Sequence, residues 1–211
     1  QRVALARALA TEPRLLLLDE PLAALYASTR PQVRAQLRRH LAGFDGARIV
    51  VTHDPVDAIS LADRLVVVEA GRAVQVGTPA DLAARPASRY VADLVGVNLV
   101  HGARRDDHTV TVGDAALTVA DRLPPGEQVA LTVRPQAVAL HAHQPEGSPR
   151  NVWSSVVEDV EVVGERARVR LGPPVPLTAE VTTDAVAALG LAPGLRVWAS
   201  VKAVDVAAEP D

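Results

Sequence analysis

Apolar runs alternate with helical patterns along the first 97 residues of the chain. Residues 15–18 are four consecutive leucines, a pattern typical of a strand that is buried on both faces of a sheet. Residues 49–51 and 65–68 predict two further strands of this kind. Gly71 predicts a tight turn from the third strand into a fourth at residues 73–76.

Helical periodicity fills the segments between these strands. Residues 3–10 carry apolar side chains at helical spacing. Ser28 is predicted to be the N-cap of an arginine-rich amphipathic helix that has Pro31 in its first turn and ends near residue 41. A further helix is predicted at about residues 55–62. Because strands alternate with helices, this part of the chain is predicted to form a mostly parallel α/β layer.

Short strands separated by Gly, Pro and Asp replace this pattern after Val97. They predict one or two small all-β barrel units with a loop at residues 141–149. Two sets of strands flank that loop, which leaves open a weak internal duplication. The predicted strands are residues 109–112, 117–119, 128–133, 155–163, 167–171, 177–181 and 196–201.

Composition narrows the class of protein. Hydrophobic residues make up 48% of the 211 residues, which is enough for a buried core. The 22 basic and 25 acidic residues give a net charge of −3 and form no basic stripe, which argues against nucleic acid as a partner. The chain has no cysteine, so disulfides, thiolate metal sites and cysteine nucleophiles are excluded.

Two adjacent carboxylates follow the four leucines directly. Asp19 and Glu20 are therefore predicted at the carboxyl edge of the sheet, where open α/β sheets bind ligands. Neighbouring residues on an extended chain point in different directions, so one acid could hold Mg²⁺ through its water shell while the other orients or deprotonates a water. The alternative is a buried strand followed by an acidic turn.

An imidazole follows the next predicted strand. Thr52, His53 and Asp54 come directly after residues 49–51, again at a carboxyl edge. If the two strands are neighbours, His53 lies beside the acidic pair and could contact a phosphate oxygen or the attacking water. The alternative is a histidine that caps the following helix or is satisfied locally.

In this order and spacing, four motifs resemble the ATPase subunit of ABC transporters. The sequence LLLLDEPLAAL at residues 15–25 resembles a Walker B strand running into a D-loop, and VTHD at residues 51–54 resembles an H-loop. The sequence QRVALARAL at residues 1–9 resembles the last residue of an LSGGQ signature and its helix. Residues 68–79 resemble the closing hairpin of the importer subgroup.

The resemblance implies a P-loop NTPase-type partial domain at residues 1–97 and a role for each matching residue. Asp19 would hold Mg²⁺ through water, Glu20 would be the general base and His53 would contact the γ-phosphate. Gln1 would close the signature loop against ATP bound by a second copy, which implies a homodimer of ATPase subunits. Transmembrane permease subunits, an external substrate-binding protein and a place at the cytoplasmic face of the membrane are further implications.

Two departures from the family pattern bear on activity. The chain has no methionine and begins at Gln1, so we expect it to be the C-terminal piece of a longer protein. It contains no Walker A loop (GxxxxGK(S/T)) and no Q-loop, so we expect this piece alone neither to bind ATP tightly nor to hydrolyse it. Tyr26 stands where the D-loop usually carries Asp, which puts the coupling between two nucleotide sites in doubt.

The second part resembles the TOBE regulatory domains, which are OB-fold-like barrels attached to importer ATPases. The sequence RPQAV at residues 134–138 carries this resemblance, and from Ser148 onward it narrows to the molybdate-binding, Mop-like subtype. The matching segments are SPRN at 148–151, LTAEVT at 177–182, LGLAPG at 189–194 and VKA at 201–203. An all-β TOBE domain is therefore expected at residues 98–211.

A binding site for a tetrahedral oxyanion needs several hydrogen-bond donors close to the anion and a limited positive charge. Five donor residues in three segments are candidates for one such site. The alternative is that they are ordinary turn and edge residues, because Ala185 and Val204 replace hydroxyl residues that the subtype often carries. The candidates are Ser148, Arg150, Asn151, Thr182 and Lys202.

Together these features predict part of an ABC importer ATPase, with molybdate as the expected cargo. Sulfate, polyamine, iron or sugar are alternative cargoes, and a non-enzymatic oxyanion-binding module is an alternative class. The remaining basic residues are predicted to be solvated. Arg34, Arg38 and Arg39 are read as an exposed helix face, and His101, His108, His141 and His143 as surface residues.

Overall fold

A computed structural model describes residues 13–26, 28–123 and 125–210, together with Val3, Arg7 and Thr11. The chain divides into two compact units, Gln1–Ala80 and Asp81–Asp211. The predicted domain boundary instead follows residue 97. No helix within the described ranges is long and apolar enough to cross a bilayer.

A parallel strand pair organises the first unit. Strand β1 (Leu15–Asp19) pairs with β2 (Ala47–Val51), with Leu15 opposite Ala47 and Asp19 opposite Val51. Helix α1 (Arg30–Ala42) connects the two strands, and α2 (Pro55–Leu61) follows β2. Leucines from β1, the turn after it and α1 form a small core. These are Leu16, Leu22, Leu37 and Leu41.

The other two strands of this unit form an antiparallel hairpin in a separate sheet. Strands β3 (Leu65–Glu69) and β4 (Arg72–Gly77) are joined by Ala70 and Gly71, which have φ angles of 48° and 77°. Two residues with positive φ make a turn that can join only antiparallel strands. Gly71 therefore makes the tight turn that was predicted, but the prediction of a mostly parallel layer is wrong for the described residues.

Two local predictions need correction in this unit. The leucine run is buried on one face only, because Leu16 is 3% exposed while Leu17 is 64% exposed. The N-cap of α1 is Thr29 instead of Ser28, and its hydroxyl donates to the Tyr26 carbonyl oxygen at 3.1 Å instead of accepting from the helix. Pro31 lies in the first turn of α1, as predicted.

The segment between residues 80 and 97 packs with the second unit. Helices α3 (Pro79–Ala84) and α4 (Arg89–Val95) occupy it, and α4 packs against the strand that follows. Ser88 caps the start of α4, and Gly96 ends it in the left-handed conformation with a φ of 72°. Arg85 Nε lies 2.8 Å from Glu209 Oε1 near the end of the chain, so an ion pair also ties this segment to the second unit.

The second unit consists of two five-stranded antiparallel sheets around one apolar core. One sheet has the order β12–β11–β10–β13–β9 and the other the order β14–β8–β5–β6–β7. A helix, α5 (Thr183–Leu189), follows β12. The strands are β5 (Asn98–Arg104), β6 (Thr109–Val112), β7 (Ala115–Thr118), β8 (Gln128–Val133), β9 (Ala139–His141), β10 (Asn151–Val163), β11 (Arg166–Leu171), β12 (Thr178–Thr182), β13 (Arg196–Val201) and β14 (Val206–Pro210).

These sheets show the internal duplication that the sequence leaves open. Residues 98–141 and 151–210 each supply four adjacent strands of one sheet, in the same order, and one edge strand of the other sheet. A buried asparagine begins each half. The Asn98 side-chain amide donates to the Thr178 carbonyl oxygen at 2.9 Å and accepts the Thr178 N–H at 2.7 Å. In the same way, the Asn151 amide donates to the Thr118 carbonyl oxygen at 2.9 Å and accepts the Thr118 N–H at 2.6 Å. Two asparagines, one from each half, thus hold the halves together through four hydrogen bonds.

We expect these two asparagines to contribute similarly to stability. Replacing Asn98 or Asn151 by Ala leaves a buried backbone N–H and C=O without partners, at a cost of about 1–3 kcal/mol. Urea unfolding followed by tryptophan fluorescence measures this, since Trp153 and Trp198 both lie in the second unit. The exposed Gln144→Ala is the control. If either asparagine variant lowers the free energy of unfolding no more than this control does, its two hydrogen bonds do not stabilise the fold as we expect.

Candidate functional site

The site begins where β1 ends. Glu20 has a φ of 44°, an uncommon value for a residue with a side chain, so the chain turns sharply after Asp19. The Glu20 N–H still donates to the Val51 carbonyl oxygen at 2.9 Å, which continues the parallel ladder by one bond. The strand pairing therefore fixes the position of Glu20 beside the residues that follow β2.

The Glu20 carboxylate receives hydrogen bonds from that next segment. Its Oε1 lies 2.6 Å from His53 Nδ1 and accepts the His53 backbone N–H at 2.9 Å. Its Oε2 accepts the Thr52 hydroxyl at 3.4 Å. His53 is 78% exposed and Glu20 31% exposed, so the pair opens to solvent. The structure thus places the His53 imidazole against the Glu20 carboxylate at the edge where the two paired strands end.

These hydrogen bonds stabilise the ionised form of Glu20. The His53 side chain is the largest influence holding the pKa of the Glu20 carboxyl below its ordinary value of 4.5, and it outweighs the desolvation that would raise that pKa. The carboxylate is therefore negatively charged near neutral pH and can accept a proton. The side chain of Asp19, the neighbouring acid, is exposed and makes no hydrogen bond or ion pair with the described residues.

The residues that follow His53 are held by a helix cap and by two arginines. Asp54 is the N-cap of α2 and accepts the Asp57 N–H at 2.9 Å. Arg30 and Arg34 of α1 both reach Asp57, whose side chain is 2% exposed. The reading of Arg34 as part of a solvated face is therefore wrong. The spacing of two arginines four apart and two aspartates three apart was the signal available in the sequence.

Two further residues were singled out in the sequence, Gln1 and Tyr26. Gln1 lies outside the described residues. Tyr26 follows the turn after Glu20 and is 84% exposed, so its ring projects into solvent. The position that carries Asp in the family pattern therefore presents an aromatic side chain to whatever faces it.

The structure brings together only some of the five candidate oxyanion residues. Asn151 pairs with Val201, so Arg150 and Lys202 occupy the next positions beyond that pair. Ser148 is exposed in the preceding loop. Asn151 uses its side chain on Thr118, as described above. Thr182 lies at the far end of the sheet, where its hydroxyl oxygen accepts the Ala185 N–H at 3.2 Å, so within this chain it lies apart from the other candidates.

The histidines of the second unit differ from their predicted role in one case. His141 is half-buried, and its Nε2 lies 2.9 Å from the hydroxyl of Ser200, because β9 pairs with β13. His101, His108 and His143 are exposed, as predicted. Among the described residues, no group of three or more His, Asp and Glu side chains could hold a metal ion.

Comparison with known proteins shows similarity to two groups of proteins. The TOBE domain family model matches residues 147–208. Over its whole length the chain is a homologue of the ATP-binding proteins of ABC importers. The Molybdenum import ATP-binding protein ModC of Mycobacterium tuberculosis H37Rv is 41% identical over 217 residues, covering 100% of this chain and 59% of that protein.

Other relatives carry different names. The Sulfate/thiosulfate import ATP-binding protein CysA 2 of Chromobacterium violaceum is also 41% identical, over 100% of this chain and 58% of its own length. The Fe(3+) ions import ATP-binding protein FbpC 2 of Rhizobium meliloti is 36% identical, over 95% of this chain and 54% of its own length. The chain thus spans a little over half the length of these curated relatives.

Part of the chain is also similar to a solved structure. The cytoplasmic molybdate-binding protein ModG with molybdate bound is 25% identical and covers 53% of this chain and 94% of its own. The TM-score is 0.46, so the likeness carries no argument about the fold.

We expect the His53→Ala variant to raise the pKa of Glu20 toward 4.5, because it removes the strongest hydrogen bond to the carboxylate. NMR titration of the Glu20 side-chain carboxyl carbon measures this, with the exposed His40→Ala as the control. Since the folded pKa is lowered, the contact stabilises the fold above the unfolded pKa, and that stabilisation is lost as pH falls through the folded pKa. An unchanged Glu20 pKa in His53→Ala would be evidence against the contact.

Proposed function

We propose that this chain forms part of the ATP-hydrolysing subunit of an ABC importer, with a P-loop NTPase-type partial domain in its first part. The observation that carries the proposal is the contact between the ionised Glu20 carboxylate and His53 at the carboxyl edge of the β1–β2 pair. Asp19 lies beside them with its carboxylate open to solvent. Homology over the whole chain to import ATP-binding proteins supports the same proposal.

The residues at this edge fit Mg²⁺ and ATP. Asp19 offers the hard carboxylate oxygen that Mg²⁺ prefers, and it would hold the ion through water. Bound Mg²⁺–ATP supplies the γ-phosphoryl group that is transferred to water. Glu20 is ionised near neutral pH, because hydrogen bonds from His53 lower its pKa, and it is placed to accept the proton of that water. His53 bonds Glu20 through Nδ1, which leaves its Nε2 for the γ-phosphate.

The rest of a nucleotide site must come from elsewhere. The chain contains no GxxxxGK(S/T) sequence, the loop that cradles phosphates in such enzymes, so we propose that it is inactive alone. Gln1 would face ATP held by a second copy, in a homodimer of ATPase subunits. Permease subunits in the membrane and an external substrate-binding protein would complete the importer, with this chain at the cytoplasmic face.

Molybdate is the cargo that we propose, since the name of the ModC relative specifies molybdenum import. Sulfate or thiosulfate and iron stand in the names of other relatives of similar identity, so they remain alternative cargoes, as do polyamines and sugars. The cargo need not touch this chain. A non-enzymatic module that binds an oxyanion through the TOBE domain is the alternative from a different class.

Two cations in the TOBE domain support oxyanion binding. Arg150 and Lys202 occupy adjacent positions beyond the Asn151–Val201 pair, and both are exposed. A guanidinium and an ammonium together supply charge-assisted hydrogen bonds of the kind that a tetrahedral oxyanion accepts. The exposed hydroxyl of Ser148 lies two residues before Arg150. We propose these three as the oxyanion donors, with Asn151 holding the strand beneath them.

Replacing the proposed base tests the ATPase. The part of the M. tuberculosis ModC relative that this chain does not match can be joined to this chain to give a protein of that relative's full length. Glu20→Gln in that fusion should lower ATP turnover about 10²–10⁴-fold while ATP binding persists, because a general base contributes roughly that factor. The exposed Asp45→Asn is the control. Undiminished turnover in Glu20→Gln would refute the assignment.

Calorimetric titration of the chain with molybdate, tungstate and sulfate tests the second unit. Arg150→Gln and Lys202→Gln should each weaken molybdate binding about 10-fold or more, because each removes a hydrogen bond to a charged ligand. The exposed Arg105→Gln is the control. If neither substitution changes the affinity for molybdate, the proposed oxyanion site is excluded. Molybdate binding combined with an inactive fusion protein would favour the non-enzymatic module.

A further inference from the structure

Two arginines of α1 and two aspartates around the start of α2 form an ionic cluster, which we call the Arg–Asp cluster. Arg30 Nη2 lies 2.7 Å from Asp57 Oδ2, and Arg30 Nη1 lies 3.2 Å from Asp54 Oδ2. Arg34 Nε bonds the other oxygen of Asp57, and Arg34 Nη2 lies 3.9 Å from Asp54 Oδ1. Each arginine therefore contacts both aspartates, which fixes α2 relative to α1.

Burial makes this cluster rigid. Asp57 is almost fully buried, so its two oxygens depend on the arginines for charge compensation. Within the part of the chain that the structure describes, Arg30 Nε is buried without a partner, so Arg30 is held by its two terminal nitrogens alone. A guanidinium presents its donors in a planar fork, so both arginines constrain direction as well as distance.

The cluster lies one residue from the candidate site. Asp54 directly follows His53, and its carboxylate has two uses: it caps the start of α2 and it pairs with the arginines. The Asp54 N–H also donates to the Thr52 hydroxyl at 3.2 Å, and that hydroxyl in turn donates to Glu20. His53 is itself mostly exposed, so packing around its ring does not hold it in place.

We infer that Arg30 and Arg34 are positioning residues for His53. By fixing Asp54 and the first turn of α2, they hold the His53 backbone N–H and ring Nδ1 against the Glu20 carboxylate. The importance of this placement for catalysis rests on the proposed function. The placement itself does not, since it concerns only contacts within this chain.

Amide hydrogen exchange tests the inference on the chain as it stands, without nucleotide. The His53 N–H donates to Glu20 Oε1 and the Glu20 N–H donates to Val51 O, both at 2.9 Å, so one reports the candidate site and the other the strand pairing. Arg34→Met should accelerate exchange at His53 about tenfold or more, because a hydrogen bond to a charged group is loosened. Exchange at the Glu20 N–H should stay as it is.

Matched variants separate positioning from general stability. Arg34→Lys keeps the positive charge but lacks the planar pair of guanidinium donors, so it should restore only part of the protection of the His53 amide from exchange. The exposed Arg38→Met on the same helix should leave exchange at His53 unchanged. In a Glu20→Ala background, Arg34→Met should have no further effect at His53, because the acceptor is already gone. Arg34 is preferred to Arg30 for these tests, since Arg30 also interacts electrostatically with Glu20.

The outcomes are distinct. Equal acceleration at the His53 and Glu20 amides would mean that Arg34 only stabilises the unit, and unchanged exchange at His53 would mean that the cluster does not position it. Either result overturns the inference. An inactive fusion protein in the ATPase assay would instead overturn the proposed function, while leaving the exchange result intact.

Discussion

The parallel pairing of β1 with β2 is the constraint on which the candidate site depends. It places Asp19 opposite Val51 and carries one further bond, from the Glu20 N–H to the Val51 carbonyl oxygen. That bond fixes the distance between the acids after one strand and the imidazole after the other. A register shift of one residue would turn every side chain of β1 to the opposite face and separate Glu20 from His53.

In the second unit, each half contributes one edge strand to the sheet of the other half. Neither half has a complete sheet of its own, because β9 completes one sheet and β14 the other. Asn98 and Asn151 fasten each half to a threonine of the other half. The candidate oxyanion residues Arg150 and Lys202 lie directly beside one of these connections. The ligand site that we propose therefore lies next to a buried asparagine that holds the two halves together.

Features that depend on neighbouring residues could be predicted from the sequence. The acidic pair after the leucine run, the turn at Gly71 and the start of α2 follow from local patterns, and the structure contains all three. Of the features that depend on a distant partner, the sequence analysis predicted the approach of His53 to Glu20, because both residues directly follow predicted strands, but it did not predict the partners of the following residues. Arg34 looks solvated on α1 until Asp57 is placed against it, and Thr182 is seen to be the N-cap acceptor of α5 only when the helix is known to begin at the next residue.

The duplication of the second unit is uneven, and the difference bears on its chemistry. Both halves keep the asparagine and a basic residue after the strand that pairs with it, Arg134 in the first half and Lys202 in the second. The residue before the asparagine differs, because it is Val97 in the first half and Arg150 in the second. At these two flanking positions the first half therefore carries one cation, Arg134, and the second half carries two, Arg150 and Lys202. The shared asparagines thus join the two halves in the same way, while the arginine before Asn151 adds a cation at a position where the first half has an apolar residue.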